Sequence, residues 1–214
     1  MTTQASSARA QRARARLQAA FALADPTDPP VIVWPLHYIV FGTAPDRVPA
    51  DLFDRPARLL EFQQDLCAAH LAALDDDFIP YLTPYYGTGV LASAFGVETR
   101  FVPGRDPAAG APVVRTPAEA ARLRLPDPQR DGLMPRVLEA AAYMRAHGEY
   151  PVSLTDSQSP LDERVLITGH ERLYLWMYDE PALVHDLVAL VSEAFIAWVE
   201  LNPAAAVALI WAER

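Results

Sequence analysis

Lysine is absent from this 214-residue chain, and all 18 basic residues are arginine. Without a lysine amine no Schiff base forms, which excludes pyridoxal phosphate bound in the usual way. Cysteine is nearly absent: the single Cys67 has no partner for an internal disulfide, as expected of a reducing, cytoplasmic compartment. Basic charge is scarce against 27 acidic residues, the formal net charge is −9, and no basic run follows the N-terminus, so nucleic acid is a poor partner. No apolar run reaches the ~18 residues of a membrane span, and no membrane association is expected. A dinucleotide fingerprint is also missing, because Gly87 and Gly89 lack its spacing and no helix-opening turn with a later ribose acid follows.

What the chain does contain is 51% hydrophobic residues, ample for a core. Residues 1–25 form an N-terminal unit bearing Arg9, Arg12, Arg14 and Arg16. A helix capped near Ser6 or Ser7 is expected there, with Leu17, Phe21 and Leu23 on or near its apolar face, rather than a transit peptide. The main unit, 26–214, opens with a turn-rich break and then Val31-Ile32-Val33-Trp34, an apolar run typical of a parallel strand buried on both faces. His37 and Tyr38 stand just beyond its carboxyl end. Leu52, Phe53, Leu59, Leu60, Phe62, Leu66 and Leu71 recur at helical spacing between Pro49 and Ala73, with a longer helix starting at Pro56. Cys67 and His70 lie three apart on it; that spacing suits a metal, but more often gives a buried thiol and a rim imidazole.

Asp75-Asp76-Asp77 reads as a solvated turn into a second strand, Phe78-Ile79-Pro80-Tyr81-Leu82. This strand empties into a loop whose Tyr85 and Tyr86 are candidates to wall a pocket for a flat ligand. Residues 91–115 read as a β excursion, with Ala94-Phe95-Gly96 and then Thr99 to Val102, followed by a Pro/Gly-rich linker. Thr116-Pro117-Ala118-Glu119 is a capping box, and an amphipathic helix is expected over Met134–His147, stopped by Gly148. A third strand runs from Pro151 to Thr155 into a polar corner of Asp156, Ser157, Gln158 and Ser159, after which Pro160 opens a helix. Helices are expected over 160–178 and 181–201, the second with a stripe of Leu183, Leu187, Val191, Phe195 and Trp198, and with His170 and His185 on their surfaces. Strands alternating with helices argue for an α/β fold of parallel βαβ units. In such folds reacting groups collect at the carboxyl ends of strands, which makes Asp156 a site candidate.

Four segments carry a family resemblance: Pro30 to Gly42 (PVIVWPLHYIVFG), Asp77 to Gly96 (DFIPYLTPYYGTGVLASAFG), residues 126–144 (PDPQRDGLMPRVLEAAAYM) and Pro151 to His185 (PVSLTDSQSPLD…GHERLYLWMYDEPALVH). Together they resemble the amino-terminal portion of the uroporphyrinogen decarboxylase superfamily. The resemblance implies a partial TIM (β/α)8 barrel, comprising the first three barrel strands with their helices and a β excursion, and truncated relative to the ~250 residues of a typical barrel. Members decarboxylate uroporphyrinogen without a cofactor, or transfer methyl groups to and from corrinoid or thiol partners with zinc held by their carboxyl-terminal half. No cofactor is therefore expected of this chain by itself. Leu36-His37-Tyr38 replaces the arginine-bearing motif of the decarboxylases, no acid stands between Thr83 and Tyr85 where they place an aspartate, and Val165 stands near their tyrosine.

In a completed barrel, Asp156 and His37 are the expected catalytic groups. Asp156 would give or take the proton and His37 would help orient the substrate. Tyr38, Tyr85, Tyr86 and Gln158 are the expected substrate-binding groups. The substrate is expected to be a tetrapyrrole or a corrinoid protein, with self-association or a complementing chain supplying the remaining strands. A non-catalytic tetrapyrrole- or corrinoid-binding remnant, and a truncated inactive fragment, stand as alternatives.

Overall fold

The structure, a computed structural model, describes residues 2–24, 29–33 and 48–201. Trp34, His37, Tyr38 and the apolar tail beyond Leu201 lie outside the described residues. The described chain is mostly helical. It runs α1 (Thr2–Phe21), α2 (Pro56–Ala73), α3 (Val90–Ala94), β1 (Thr99–Arg100), β2 (Ala108–Ala109), α4 (Pro117–Ala120), α5 (Met134–His147), α6 (Pro160–Thr168), α7 (His170–Asp179) and α8 (Pro181–Leu201). β1 and β2 form a small antiparallel sheet, with Thr99 opposite Ala109 and Arg100 opposite Ala108.

Helix limits follow local chemistry. Pro56 and Pro160 each occupy the first turn, where a missing N–H leaves no bond unmade. The Thr116–Glu119 capping box is complete, and Ser159 caps α6 by accepting from the Asp162 amide. Three expected helical boundaries move, the first being the start of α1, expected at Ser6 or Ser7 and found at Thr2. Ala94-Phe95-Gly96 is not β structure, since Val90–Ala94 is helical. The helix expected over 160–178 is split at Gly169, whose φ of 86° and ψ of 145° suit glycine and strain any residue with a Cβ.

Among the described residues, the three expected strands reduce to one parallel bridge. Leu82 pairs with Val152: the Leu82 amide donates to the Pro151 carbonyl at 2.8 Å and the Ser153 amide donates to the Leu82 carbonyl at 2.7 Å. Pro80 removes a ladder donor two residues before the bridge. Val31 and Val33, expected to be buried on both faces, are 61% and 50% exposed. Their amides are taken by carboxylates instead of a strand, Val31 donating to Asp77 and Val33 to Asp76.

That acidic run is not a solvated turn. Asp76 and Asp77 are buried, with side chains 8% and 3% exposed, whereas Asp75 is open at 81%. Arg9 and His70 reach Asp76, and Arg16 reaches Asp77. Helix α1 therefore docks through its arginines and Ala13. Phe21 and Leu23, expected on an apolar packing face, are exposed. Burial by itself would raise the Asp76 pKa, but hydrogen bonds from His70, Val33 and Phe78 hold it below the usual carboxylate value.

The core gathers Leu59 and Leu60 of α2, Val137 and Met144 of α5, and Leu187 and Trp198 of α8 around the bridge residues. By length and composition α8 is apolar enough to cross a membrane, with a mean hydropathy of 1.7, contrary to the reading of unbroken runs, which Asp186 and Glu193 interrupt. Its stripe Val184, Leu187, Val191, Ala194 and Trp198 is buried, and the helix contacts α6 and α7.

Asp76→Ala strips partners from Arg9, His70 and the Val33 amide and is expected to destabilise by about 3 kcal/mol, as for a broken buried pair. Asp75→Ala is expected to stay within about 0.5 kcal/mol, as for an exposed side chain. Because the Asp76 pKa is depressed, its contribution is present above 3.8, the unfolded value, and fades as pH falls through the folded value. Urea unfolding of both variants at neutral and acidic pH checks the contrast.

Candidate functional site

Beyond the bridge, side-chain bonds carry the two strand ends forward together. The Thr83 and Ser153 hydroxyls meet at 2.8 Å, and one step further the buried Thr155 hydroxyl donates to the Pro84 carbonyl at 2.9 Å. On the other side of Thr83, the fully buried Gln63 of α2 binds both backbone groups of that residue: its Oε1 accepts from the Thr83 amide and its Nε2 donates to the Thr83 carbonyl, each at 2.7 Å. These contacts fix the loops 83–89 and 155–159 side by side at the carboxyl ends of their strand segments.

The third wall comes from the loop before β2. Gly87 adopts φ 86°, and a Cβ there would lie 2.6 Å from the Pro107 carbonyl oxygen, so only glycine lets this loop close down. Asp106 is thereby set against Tyr85. Burial raises the Tyr85 pKa, and the Asp106 carboxylate, to which the phenol is hydrogen-bonded, raises it further, with a smaller contribution from Asp156. Burial likewise raises the Asp106 pKa, while the Tyr85 bond lowers it. Asp156 is half-buried and accepts a long contact of 3.4 Å from Gln158 Nε2.

Below the Asp156 turn lies Glu163, in the first turn of α6, with no exposed surface. Neither of its oxygens has a hydrogen-bond partner. Burial pushes its pKa up to about 8; Asp162 and Asp156 push the same way, and the nearby amides of Ala92 and Gln158 oppose them. The arrangement is a phenol and three carboxyls around one strand end, one of the carboxyls holding its proton at neutral pH. Such a set can give and accept protons. Among the described residues no arginine bonds to Tyr85, Asp106, Asp156, Gln158 or Glu163.

Of the residues read from sequence, the structure brings together Tyr85, Asp156 and Gln158. Tyr86 is placed apart from them: it is 1% exposed, in the core against Phe53, with Arg136 stacked over its ring at 5.1 Å. His37 and Tyr38 lie outside the described residues. Asp106 and Glu163 were missed, the first as part of a Pro/Gly linker and the second as an unremarked helical acid. A signal for Asp106 does exist, in the facing Gly87 and Pro107.

Cys67 is buried, with its thiol pushed up to about 12 by burial, and it faces the Tyr81 carbonyl, while His70 turns to Asp76. Among the described residues no group of three or more His, Cys, Asp or Glu side chains is placed to hold a metal ion. The described residues do not fit the zinc that the family resemblance implies for methyl transfer.

The family model for uroporphyrinogen decarboxylase (URO-D) matches residues 82–212, beginning at the bridged Leu82. This chain belongs to the uroporphyrinogen decarboxylase family. Among solved structures it is similar in fold to a methyltransferase from Methanosarcina mazei, with a TM-score of 0.67, at 16% sequence identity, over 91% of this chain and 56% of that one. The chain thus spans a little over half the length of that methyltransferase. No curated protein matches it in sequence. The URO-D match takes in the whole carboxyl cluster, while the arginine-bearing α1 and its acidic dock precede it.

Tyr85→Phe removes the phenol that favours the charged Asp106 carboxyl, whose buried Oδ2 has no hydrogen-bond partner, and is expected to cost about 1–3 kcal/mol at neutral pH. The Asp106 pKa is already raised in the fold, so its charged form opposes folding, and the variant raises it further. Stability is retained below 3.8, the unfolded value, and lost as pH rises through the folded one. The defect is therefore expected to shrink at pH ~4, which denaturant unfolding at two pH values reads directly.

Proposed function

We propose that this chain supplies the amino-terminal strands of a TIM-barrel-like (β/α)8 fold and the corresponding part of its active-site mouth, and that the reaction is methyl transfer involving a corrinoid- or thiol-linked partner. The single observation that carries this reading is the sign of the strand-end cluster. Asp106 and Asp156 meet there at Tyr85, above a Glu163 that keeps its proton, and no described arginine bonds to any of them. A tetrapyrrole rich in carboxylates needs cationic partners and meets repulsion on such a floor, whereas a methyl group moving between uncharged or cationic carriers does not. The methyltransferase likeness agrees, as a likeness of fold.

In this reading a thiol acceptor gives its proton to Asp156 as its sulfur bonds the methyl group, the methyl donor leaves with the electron pair of the bond that breaks, and Gln158 orients the acceptor. Tyr85 offers a hydroxyl already polarised by Asp106. The remaining barrel strands come from further polypeptide, on the same chain or another. A second reading is a non-catalytic corrinoid-binding unit.

Spectrophotometric titration of the 214-residue chain with methylcobalamin and, separately, with uroporphyrin tests the proposal. The expected result is corrinoid binding at least ~10-fold tighter than porphyrin binding, which corresponds to about 1.4 kcal/mol. Tighter porphyrin binding would overturn it. Corrinoid binding without methyl loss to an added thiol selects the non-catalytic reading.

A further inference from the structure

Glu163 has no place in the reaction outlined above, yet its setting is unusual for a carboxyl group. It has no exposed surface, and both oxygens lack hydrogen-bond partners. It also lies between the two loops that form the mouth: Ala92, whose amide is near it, belongs to α3 after the Tyr85 loop, and Gln158, whose amide is also near it, belongs to the Asp156 turn. A charged carboxylate in that position would be an uncompensated buried ion. A neutral carboxylic acid would not.

We propose that Glu163 is the proton-holding member of a carboxyl pair with Asp156, a positioning residue that keeps the Asp156–Ser159 turn seated against α3 by remaining neutral beneath it. Its proton allows a carboxyl to fill the space under the turn without setting a second negative charge beside Asp156. Release of that proton makes the pair mutually repulsive and unseats the turn, so the mouth is ordered only while Glu163 is protonated. The inference rests on the proposed function solely in taking Asp156 as the reacting carboxyl; the coupling between the two acids stands apart from which substrate is used.

The groups facing Glu163 support a simple titration. Asp162 on its own helix and Asp156 on the turn both disfavour its anion. Helix α3, with the sequence Val-Leu-Ala-Ser-Ala, carries no titratable side chain. The buried faces of α7 and α8 are apolar, formed by Leu173 and Trp176 and by Val184, Leu187, Val191, Ala194 and Trp198. Arg164 projects about 100° further round the helix, and its Nε and Nη1 are themselves unpartnered.

Hydrogen exchange of the amides of residues 156–159, corrected for intrinsic rate and followed between about pH 6 and pH 9.5, tests the pair. In the native chain protection is expected to fall at least ~10-fold across this range. Glu163→Gln, a permanent mimic of the neutral acid, is expected to keep protection within about twofold throughout. Asp156→Asn removes a charge that raises the Glu163 pKa, so the transition should remain but shift downward. An unchanged midpoint in Asp156→Asn would make Glu163 a buried spectator and overturn the pair, as would a transition that survives in Glu163→Gln. The native chain labelled with 13C-glutamate decides the first point without any variant. A Glu163 carboxyl midpoint near 8 is expected, and one near the ordinary 4.5 overturns the proposal. None of these readouts depends on corrinoid or porphyrin binding, so either proposal can fail while the other stands.

Discussion

Two backbone hydrogen bonds between Leu82 and the segment Pro151–Ser153 set the register of every group at the candidate site. In a strand, successive residues turn their backbone polar groups to opposite sides. Leu82 thus faces the 151–153 segment, and Thr83 faces the other way, where Gln63 meets it. The hydroxyl contacts Thr83–Ser153 and Thr155–Pro84 then continue in the direction the bridge points. A slip by one residue would turn Asp156 away from Tyr85 and place Val152 outside the core, because side chains alternate faces with the same period. Position at the mouth is therefore inherited from a very short piece of ladder.

Helix limits were legible because the signals are local. Proline at the first turn, Ser159 before Pro160, and the reciprocal Thr116–Glu119 pair act within one turn of the chain. The strands were legible as apolar runs but not as ladders. Val31 and Val33 look like a buried strand in sequence, yet their amides find Asp77 and Asp76, a choice made by residues more than forty positions away. The same nonlocality hid the docking face of α1, whose arginines face acids that looked solvated. Tyr85 and Asp156 lie together at the strand ends where the sequence reading put them, whereas Tyr86 lies in the core because adjacent residues in an extended segment face opposite ways, one toward Asp106 and the other inward.

Charge is divided unequally between the two ends of this assembly. At the α1 end every buried acid has a cation or a backbone amide within reach, so burial and ionisation coexist. At the strand-end cluster the acids have each other, a phenol and a few distant amides. Burial there favours protons over counterions. One chain thus contains a structural ion-pair network and a proton-bearing cluster built from the same residue type, and the difference lies in where its arginines were spent.

Gln63 has a consequence for solubility. A strand with one side unpaired displays alternating donors and acceptors that recruit strands from other molecules, and natural proteins commonly blunt such edges with charge, proline or a covering element. Here a single side-chain amide does the covering: it occupies both the N–H and the C=O of Thr83, while Pro80 offers no N–H at all. The outer margin of the second strand segment is therefore closed to foreign β pairing by a helix residue that is itself fully buried, and loss of that amide would expose a template for aggregation before it disturbed the core.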